Sequence, residues 1–419
     1  MKIKLFLLLC CTAIGHICLA QDTLKLSLNE AEKLFLSNNY ELILAKYQIE
    51  QAKADVITAK LFDNPEITHE NLFYNHETKR FLETSYATGQ FNTQISQLIK
   101  LAGKRNKNIQ LANTAVKLEE YQYFDLIRTL RYQLRSSFYK LFYLQQSAKT
   151  YQKQLDALTQ LLNASAQQLK LGNIANKDLL RIKSLAYNLK AEQNAIKGEI
   201  DELENTIKLL TGLKPSVNLM AQAPNIAPTA INDLTYIHIL DSAKTNRIDL
   251  KAAKSGITYA EQNLKLQKAN AIPDVQLSLS YDLKGSYPEK YTGIGISMPI
   301  PLFNRNQGEI KKAKIAIEAQ NVNYQQIENT LSNEVFKAYK NAVRVEDLFQ
   351  QLDPNFQRDF QQLLDEVTKN FTKRNISLLE FLDFYDSYKE NTLQFNQLQF
   401  ERLNAKEELN FVTGSTLFK

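Results

Sequence analysis

Cysteine is confined to Cys10, Cys11 and Cys18, tryptophan is absent, and only 12 glycines and 9 prolines punctuate 419 residues. The cysteines all fall in "MKIKLFLLLCCTAIGHICLAQ", whose first part, 1–20, has the build of a cleaved secretory signal peptide. Lys2 and Lys4 make its basic start, and the apolar stretch from Leu5 to Ile17 is too short to span a bilayer. Cys18 and Ala20 put small residues ahead of a cleavage before Gln21. A lipoprotein anchor is rejected, because the cysteines follow Leu9, Cys10 and Ile17 rather than a small residue. Cleavage leaves a chain without cysteine, which excludes disulfides and thiol chemistry.

Other absences narrow the function. The only histidines beyond the signal are His69, His76 and His238; the first two flank a strand, too far apart for a helix-face metal pair, so no metal site or cofactor is expected. Neither a phosphate loop nor a nucleophile motif occurs, so the chain does not read as an enzyme. The net charge of +6 falls by two with Lys2 and Lys4, and no basic block suggests nucleic acid. After the signal no run of 18 apolar residues occurs, so no helix is expected to cross a membrane.

What is present is one unit written twice. Asn38, Leu42 and Pro65-Glu66-Ile67 recur as Asn246, Leu250 and Pro273-Asp274-Val275, an offset of 208. Ile95-Ser96, Ile99 and Leu101 recur at offset 201 as Ile296-Ser297, Ile300 and Leu302. Asn173-Ile174, Leu180 and Thr211-Gly212 recur at offset 202 as Asn375-Ile376, Leu382 and Thr413-Gly414. An ordered series of this kind points to internal duplication, with a seven-residue length difference in the loop between paired strands.

The fold class expected is mainly α with a small transmembrane β part, each copy reading helix, strand, strand, very long helix, helix. The first repeat, 21–214, has helices over 27–60, 103–171 and 176–211 and strands over 66–75 and 84–98. An irregular connector follows over 215–231. The second repeat, 232–419, has helices over 233–270, 306–372 and 377–413 and strands over 274–285 and 290–302. Pro354 interrupts its long helix and should kink or break it. From Lys104 to Leu171 there is no glycine or proline, and a helix of that length would reach about 100 Å. Ile127, Leu134, Leu141, Ala148, Leu155, Leu162 and Leu169 recur every seven residues, a heptad seam that needs coiled-coil-like partners. In "LKLGNIANKDLL", Gly172 ends that helix and Asn173 or Asn176 is expected to cap the next.

The strands raise a problem of closure. In "PDVQLSLSYDLKGS", Val275, Leu277, Leu279, Tyr281 and Leu283 alternate with polar residues over about the length a tilted strand needs to cross a bilayer. Ile294 and Ile296 line the apolar face of the partner strand, and all seven residues are expected to face lipid. Tyr74, Phe81, Tyr86, Tyr287 and Tyr291 fit an interfacial girdle. A spanning sheet must close so that no backbone edge meets lipid, and four strands cannot close. The strands of two or three copies, eight or twelve, must therefore share one barrel, forming an α-barrel beyond it from their helices.

These residues resemble the outer-membrane efflux protein family, the TolC-like channels. The resemblance rests on the duplicated helix–hairpin–helix plan, "NPEI" before the first strand, "KLAGKRNKNIQLA" and "PIPLFNRNQGEIKKAKIAIEA" after the second strands, and "LKLGNIANKDLL" at the helix turn. It covers essentially all of 21–419, and its glycine-lysine-arginine turn leans towards the metal-efflux branch. It implies a homotrimer with a 12-stranded barrel in outer-membrane lipid of a Gram-negative bacterium and a large periplasmic α-barrel. It also implies a passive exit duct serving an inner-membrane transporter through a periplasmic adaptor protein. By the same resemblance the adaptor-binding tip turns are Gly172, Asn173, Ile174, Ala175, Asp178 and Leu179, then Asn375, Ile376, Ser377, Leu378 and Leu379. Ile174 and Ile376 would be exposed apolar anchors. Arg374 stands where the first turn has Gly172, so the two turns bind different adaptor surfaces or only one binds tightly. Asp178, Asp383 and Asp386 are gate candidates, because three copies of an inward carboxylate make an anionic ring. The exit duct of a type I protein secretion system would share the fold, and a soluble periplasmic coiled-coil scaffold would explain the heptads but not the strands.

Overall fold

Heptads, strand alternation and turn residues specify the elements of the computed structural model, which describes residues 23–224, 231, 235–285, 288–373 and 375–418. The expected signal peptide, Tyr287, Arg374 and part of the connector lie outside them. In chain order the elements are β1 (Thr23–Leu26), α1 (Leu28–Asn38), α2 (Tyr40–Lys60), β2 (Glu66–Asn71), β3 (Tyr74–Asn75), β4 (Arg80–Phe81), β5 (Phe91–Ile99), α3 (Lys104–Lys170) and α4 (Asn176–Thr211). They continue as β6 (Asn218–Ala221), α5 (Tyr236–Asn246), α6 (Ile248–Asn270), β7 (Val275–Asp282), β8 (Tyr291–Ser297), α7 (Gln307–Gln350), α8 (Phe356–Thr372) and α9 (Leu378–Thr413). The chain divides into two compact units: residues up to Ile43 with Ile127–Asn246 and Asn333–Lys419, and Leu44–Leu126 with Arg247–Ser332.

The first unit is helical. The heptad positions Leu134, Leu141 and Leu155 are buried, together with Leu130, Phe138, Tyr151 and Leu158 beside them. The helix expected over 27–60 is broken at Asn39, and the one expected over 233–270 at Arg247, its counterpart at offset 208. Asn39 is 3% exposed; its side chain donates to Leu210 O (3.0 Å) and accepts from Leu42 N (3.0 Å), so it starts the new helix while tying it to the end of α4. Neither break carries a glycine or proline, which is why the sequence does not reveal them. Pro354 stands in the gap between α7 and α8, so the helix expected over 306–372 is two helices. Gly212 and Gly414 close α4 and α9 with φ of 68° and 64°. A Cβ on Gly212 would also lie 2.9 Å from the Asn38 Cβ, so glycine is needed there twice over.

The connector contains a strand that alternation did not predict. β6 pairs in parallel with β1, aligning Leu24 with Leu219 and Leu26 with Ala221. Side chains from distant helices complete its ladder: Gln145 donates to Leu219 O (2.7 Å) and accepts from Ala221 N (3.1 Å), and Glu204 accepts from Leu219 N (3.2 Å). Four-residue strands are too short to show a period, and the groups that hold them are invisible locally.

Buried ion pairs cross the same unit. Arg402 grips Glu346 with two bonds of 2.7 Å, and its guanidinium lies 4.0 Å from the centre of the Phe349 ring. Arg135 pairs with Glu407 and Glu32, each at 2.8 Å.

In the second unit one antiparallel sheet has the order β2-β5-β7-β8. The strand expected over 66–75 ends at Asn71 and is followed by the short hairpin of β3 and β4; the one expected over 84–98 begins at Phe91. The strands expected over 274–285 and 290–302 end at Asp282 and Ser297. Pro299 and Pro301 come just after β8 and have no N–H to offer a ladder. Register puts Ile67, Ile95, Leu279 and Ile294 in one row and Leu277 beside Ile296 in the next. All six are exposed, Ile294 at 84%. The opposite face carries Glu66, Thr68, Glu70, Asn92, Gln94, Ser96, Gln276, Ser278, Ser280, Gly293, Gly295 and Ser297. Among the described residues the outer edges of β2 and β8 pair with no strand.

The Glu346–Arg402 pair yields a prediction. Burial pushes the Glu346 carboxyl up, and the hydrogen bond and charge of Arg402 more than offset that, holding it below the ordinary glutamate range. A carboxyl depressed on folding contributes stability that is complete above its unfolded value of about 4.3 and is lost as pH falls through the folded value. Glu346→Gln should therefore lower the unfolding midpoint at pH 7, by the equivalent of about 3 kcal/mol. The gap from the unsubstituted protein should close on acidification below about pH 4; a gap independent of pH would contradict this account.

Candidate functional site

Two regions carry the functional expectations, the sheet and the helix turns. On the sheet, Val275 and Tyr281 are half-buried, and Leu277, Leu279, Ile294 and Ile296 are exposed on the apolar face. Leu283 is a correction. It lies beyond β7, is 0% exposed, and donates its N–H to Phe91 O (3.0 Å), so it packs under the loops rather than facing outward. Tyr291 is a second correction: its register places it on the polar face, where its ring lies against Gly293. The aromatic row on the apolar face is instead His69, Phe91 and Tyr281, with successive ring centres 5.8 and 5.9 Å apart. His69 is held by Thr93 (2.8 Å), a partner that ring alternation alone could not reveal. Phe81 and Tyr86 are exposed in the loop beyond the strands, and Tyr74 packs on Phe81 at 4.8 Å.

The helix turns repeat each other in backbone detail. In the first, Gly172 has φ of 75°, and Asn173 N donates to Gln168 O (2.9 Å) while its side chain donates to Gln168 Oε1 (2.9 Å). In the second, Asn375 N donates to Asn370 O (2.9 Å) and its side chain to Asn370 Oδ1 (3.4 Å). Each asparagine thus closes the preceding helix rather than opening the next. The residue that opens α4 is Ala175, with no side-chain cap, which corrects the expected Asn173 or Asn176. Ser377 opens α9 in a capping box with Glu380, bonded at 2.9 and 3.2 Å.

The apolar surface of the turns is not where the isoleucines suggested. Ile376 and Leu378 pack on a core of Tyr151, Leu155, Leu158, Ile182, Leu364 and Phe381, and Ile174 is half-buried. Leu179 is 7% exposed. The exposed apolar groups are Leu171 (69%), Leu180 (56%) and Leu379 (56%). Gly172, Asn173, Ala175, Asn375 and Ser377 are exposed around them.

Behind the turns, polar groups tie the two helical hairpins. Lys389 on α9 reaches Glu192 on α4 (3.1 Å) and Asp386 on its own helix (3.0 Å), with 9% of its side chain exposed. Tyr151 of α3 donates to Glu192 (3.1 Å), and Tyr385 of α9 donates to Gln154 O (2.8 Å). Burial pulls the Lys389 pKa down, and the hydrogen bonds to Asp386 and Glu192 more than offset it, leaving the ammonium above the ordinary lysine value. The tie is therefore charged throughout the neutral range. Asp386 is engaged in it rather than free, whereas Asp383 is exposed and Asp178 half-exposed. Lys389 and Glu192 carry no motif and are distant in sequence, so only the packed hairpins reveal the tie.

The sequence model described as outer membrane efflux protein matches residues 31–213 and 239–415. The cobalt-zinc-cadmium resistance protein CzcC of Cupriavidus metallidurans is 22% identical over 294 residues, covering 69% of this chain and 66% of that protein. The outer membrane efflux protein BepC of Brucella suis is 22% identical over 309 residues, covering 72% and 66%. The chain thus spans just under two thirds of the length of these curated relatives. Among solved structures, the CmeC outer membrane channel of Campylobacter jejuni superposes with a TM-score of 0.74 at 16% identity, covering 93% of this chain and 86% of that one. The outer membrane protein VceC of Vibrio cholerae gives 0.70 at 17% identity, covering 93% and 96%. These structures share the fold: long helices with a small sheet of strands. The two matched stretches cover both repeats, and the chain belongs to the outer membrane efflux protein family.

Proposed function

We propose that three copies of this chain form an outer-membrane duct, the passive exit of a tripartite efflux system with a periplasmic adaptor and an inner-membrane transporter. The observation that carries this reading is the open sheet with an apolar exposed face, a polar opposite face and two edges that pair with no strand among the described residues. An edge N–H or C=O left bare in hydrocarbon costs several kcal/mol, roughly what one strand pairing recovers per bond lost. Pairing with other copies removes both edges at once. Two copies would bring eight strands, whose barrel interior is filled by side chains; three would bring twelve and leave a passage. Gly293, Gly295, Ser278 and Ser280 would keep the lumen side of the wall thin.

In this reading the signal peptide sends the chain across the inner membrane, the helical repeats stand in the periplasm, and no step requires catalysis. Leu171, Leu180 and Leu379 offer the adaptor apolar contact, and Gly172, Asn173, Ala175, Asn375 and Ser377 surround it with polar groups. Asp178 and Asp383 remain the carboxylates able to form an anionic ring. The Lys389 tie to Glu192 holds the hairpins together in the closed state, and adaptor contacts shift the population towards an open one. The relative named for cobalt, zinc and cadmium resistance supports a metal cargo, and the transporter partner selects it.

Two outcomes check this reading. An outer-membrane fraction run on a gel without boiling should show a band of three chains that boiling converts to one; a water-soluble monomer would sink the proposal. Lys389→Met should raise entry of a normally excluded solute several-fold at unchanged trimer level, since the substitution keeps the side chain's bulk and removes its charge. Unchanged entry with intact trimers would remove Lys389 from the gate.

A further inference from the structure

The duplication holds a template for the pairing that one chain leaves open. Inside the chain, β5 of the first copy pairs with β7 of the second. At the end of that pairing the Asp274 carboxylate accepts from the Leu101 N–H (2.9 Å) and the Lys104 ammonium (2.7 Å). The counterpart of β7 is β2, at offset 208, and the counterpart of β5 is β8, at offset 201. These are the two free edges. Carried over, Asp274 becomes Glu66, Leu101 becomes Leu302 and Lys104 becomes Arg305. An acid and a cation therefore recur where a seam between copies would lie, whereas the Leu302 N–H is bonded to Ile300 O (2.9 Å). Glu66 and Arg305 are both exposed, and neither side chain has an ion-pair partner among the described residues. α7 begins at Gln307, two residues later than the counterpart of Lys104, so Arg305 lies just ahead of its helix.

Backbone direction supplies a second, independent observation. Leu283 N bonds to Phe91 O and Leu72 N to Gln90 O, so odd residues of β5 face β7 and even ones face β2. The even residues of β7 then face Tyr291, Gly293, Gly295 and Ser297 on β8. Thr292, Ile294 and Ile296 turn their N–H groups outward. Pro299 and Pro301 come only after the strand, so the edge of β8 keeps its donors where a neighbour needs them.

We infer that β8 of one copy pairs with β2 of the next in the register copied from β5 and β7, locked by Glu66 of one copy accepting from Arg305 of the other. The internal pairs Ser96–Ser278 and Ile99–Val275 become Ser297–Glu70 and Ile300–Ile67 across the seam. Apolar side chains then meet on the lipid face and polar ones on the lumen face, and the strands run antiparallel around the ring. The inference rests on the trimeric duct proposed above and adds to it a register and a contact.

Paired cysteines read the register, because the described residues contain none of their own. Opposed Cα atoms at a non-hydrogen-bonded antiparallel position lie about 4.5 Å apart, within disulfide reach. Oxidised outer membranes carrying Ser297→Cys with Glu70→Cys should give covalent dimers and trimers on a boiled, non-reducing gel. Ser297→Cys with Thr68→Cys, or with Leu72→Cys, should give at least tenfold less. An off-register pair that links as well, or a product that stays one chain long, would overturn the register. An unboiled lane separates the causes: unlinked trimers refute the seam and leave the duct standing, whereas monomers refute both. For the contact, Glu66→Arg should lower the unboiled trimer fraction several-fold and adding Arg305→Glu should restore it. A double variant no better than Glu66→Arg would remove the Glu66–Arg305 pair.

Discussion

Everything in this molecule depends on where the backbone groups of four strands find partners. A sheet ordered β2-β5-β7-β8 satisfies its interior ladders and leaves one row of N–H and C=O groups on each side. In water such edges can bond to solvent, but the exposed row of Ile67, Ile95, Leu279 and Ile294 marks this sheet for hydrocarbon, where no solvent is available. The two facts together support the proposed assembly. A face too apolar for water and edges too polar for lipid are compatible only if more strands join the sheet until it closes. The duplication makes that closure economical, since the pairing between copies of the unit inside one chain can be repeated between chains.

The helices answer a different need. A 67-residue helix has no stability of its own to match its length and relies on neighbours along a heptad seam. The seam is largely apolar, but its specificity is set by buried polar groups: Asn39 at a helix break, Arg402 with Glu346, and Arg135 with Glu407 and Glu32. Near the turns the polar contacts include the Lys389 tie, the Tyr385–Gln154 bond and the Gln193–Gln152 bond.

How much of this was legible in the sequence follows from the range of each interaction. Val275 to Asp282 announces itself by alternation, and α3 by its heptads, because both signals are local and repeated. The breaks at Asn39 and Arg247 do not, since no glycine or proline marks them and the carbonyl that Asn39 bonds lies on another helix. The β1–β6 pair was missed for the same reason, with Gln145 and Glu204 supplying its missing bonds. At the turns, the asparagines suggest caps on the next helix but close the previous one, and Ile376 suggests an exposed anchor but is partly buried by its neighbours. Leu283 fits the strand's alternation by spacing, but the strand has already ended one residue earlier. Composition and period therefore reach the elements and their faces; the contacts that lock them depend on tertiary neighbours.

The central claim is that the sheet is completed by other copies of the chain. A cryo-electron microscopy reconstruction of the protein extracted from outer membranes tests it most directly by counting strands around the pore. The account predicts twelve strands from three chains, β8 of each lying against β2 of the next. A lone chain with its four-stranded sheet covered by its own helices would contradict it.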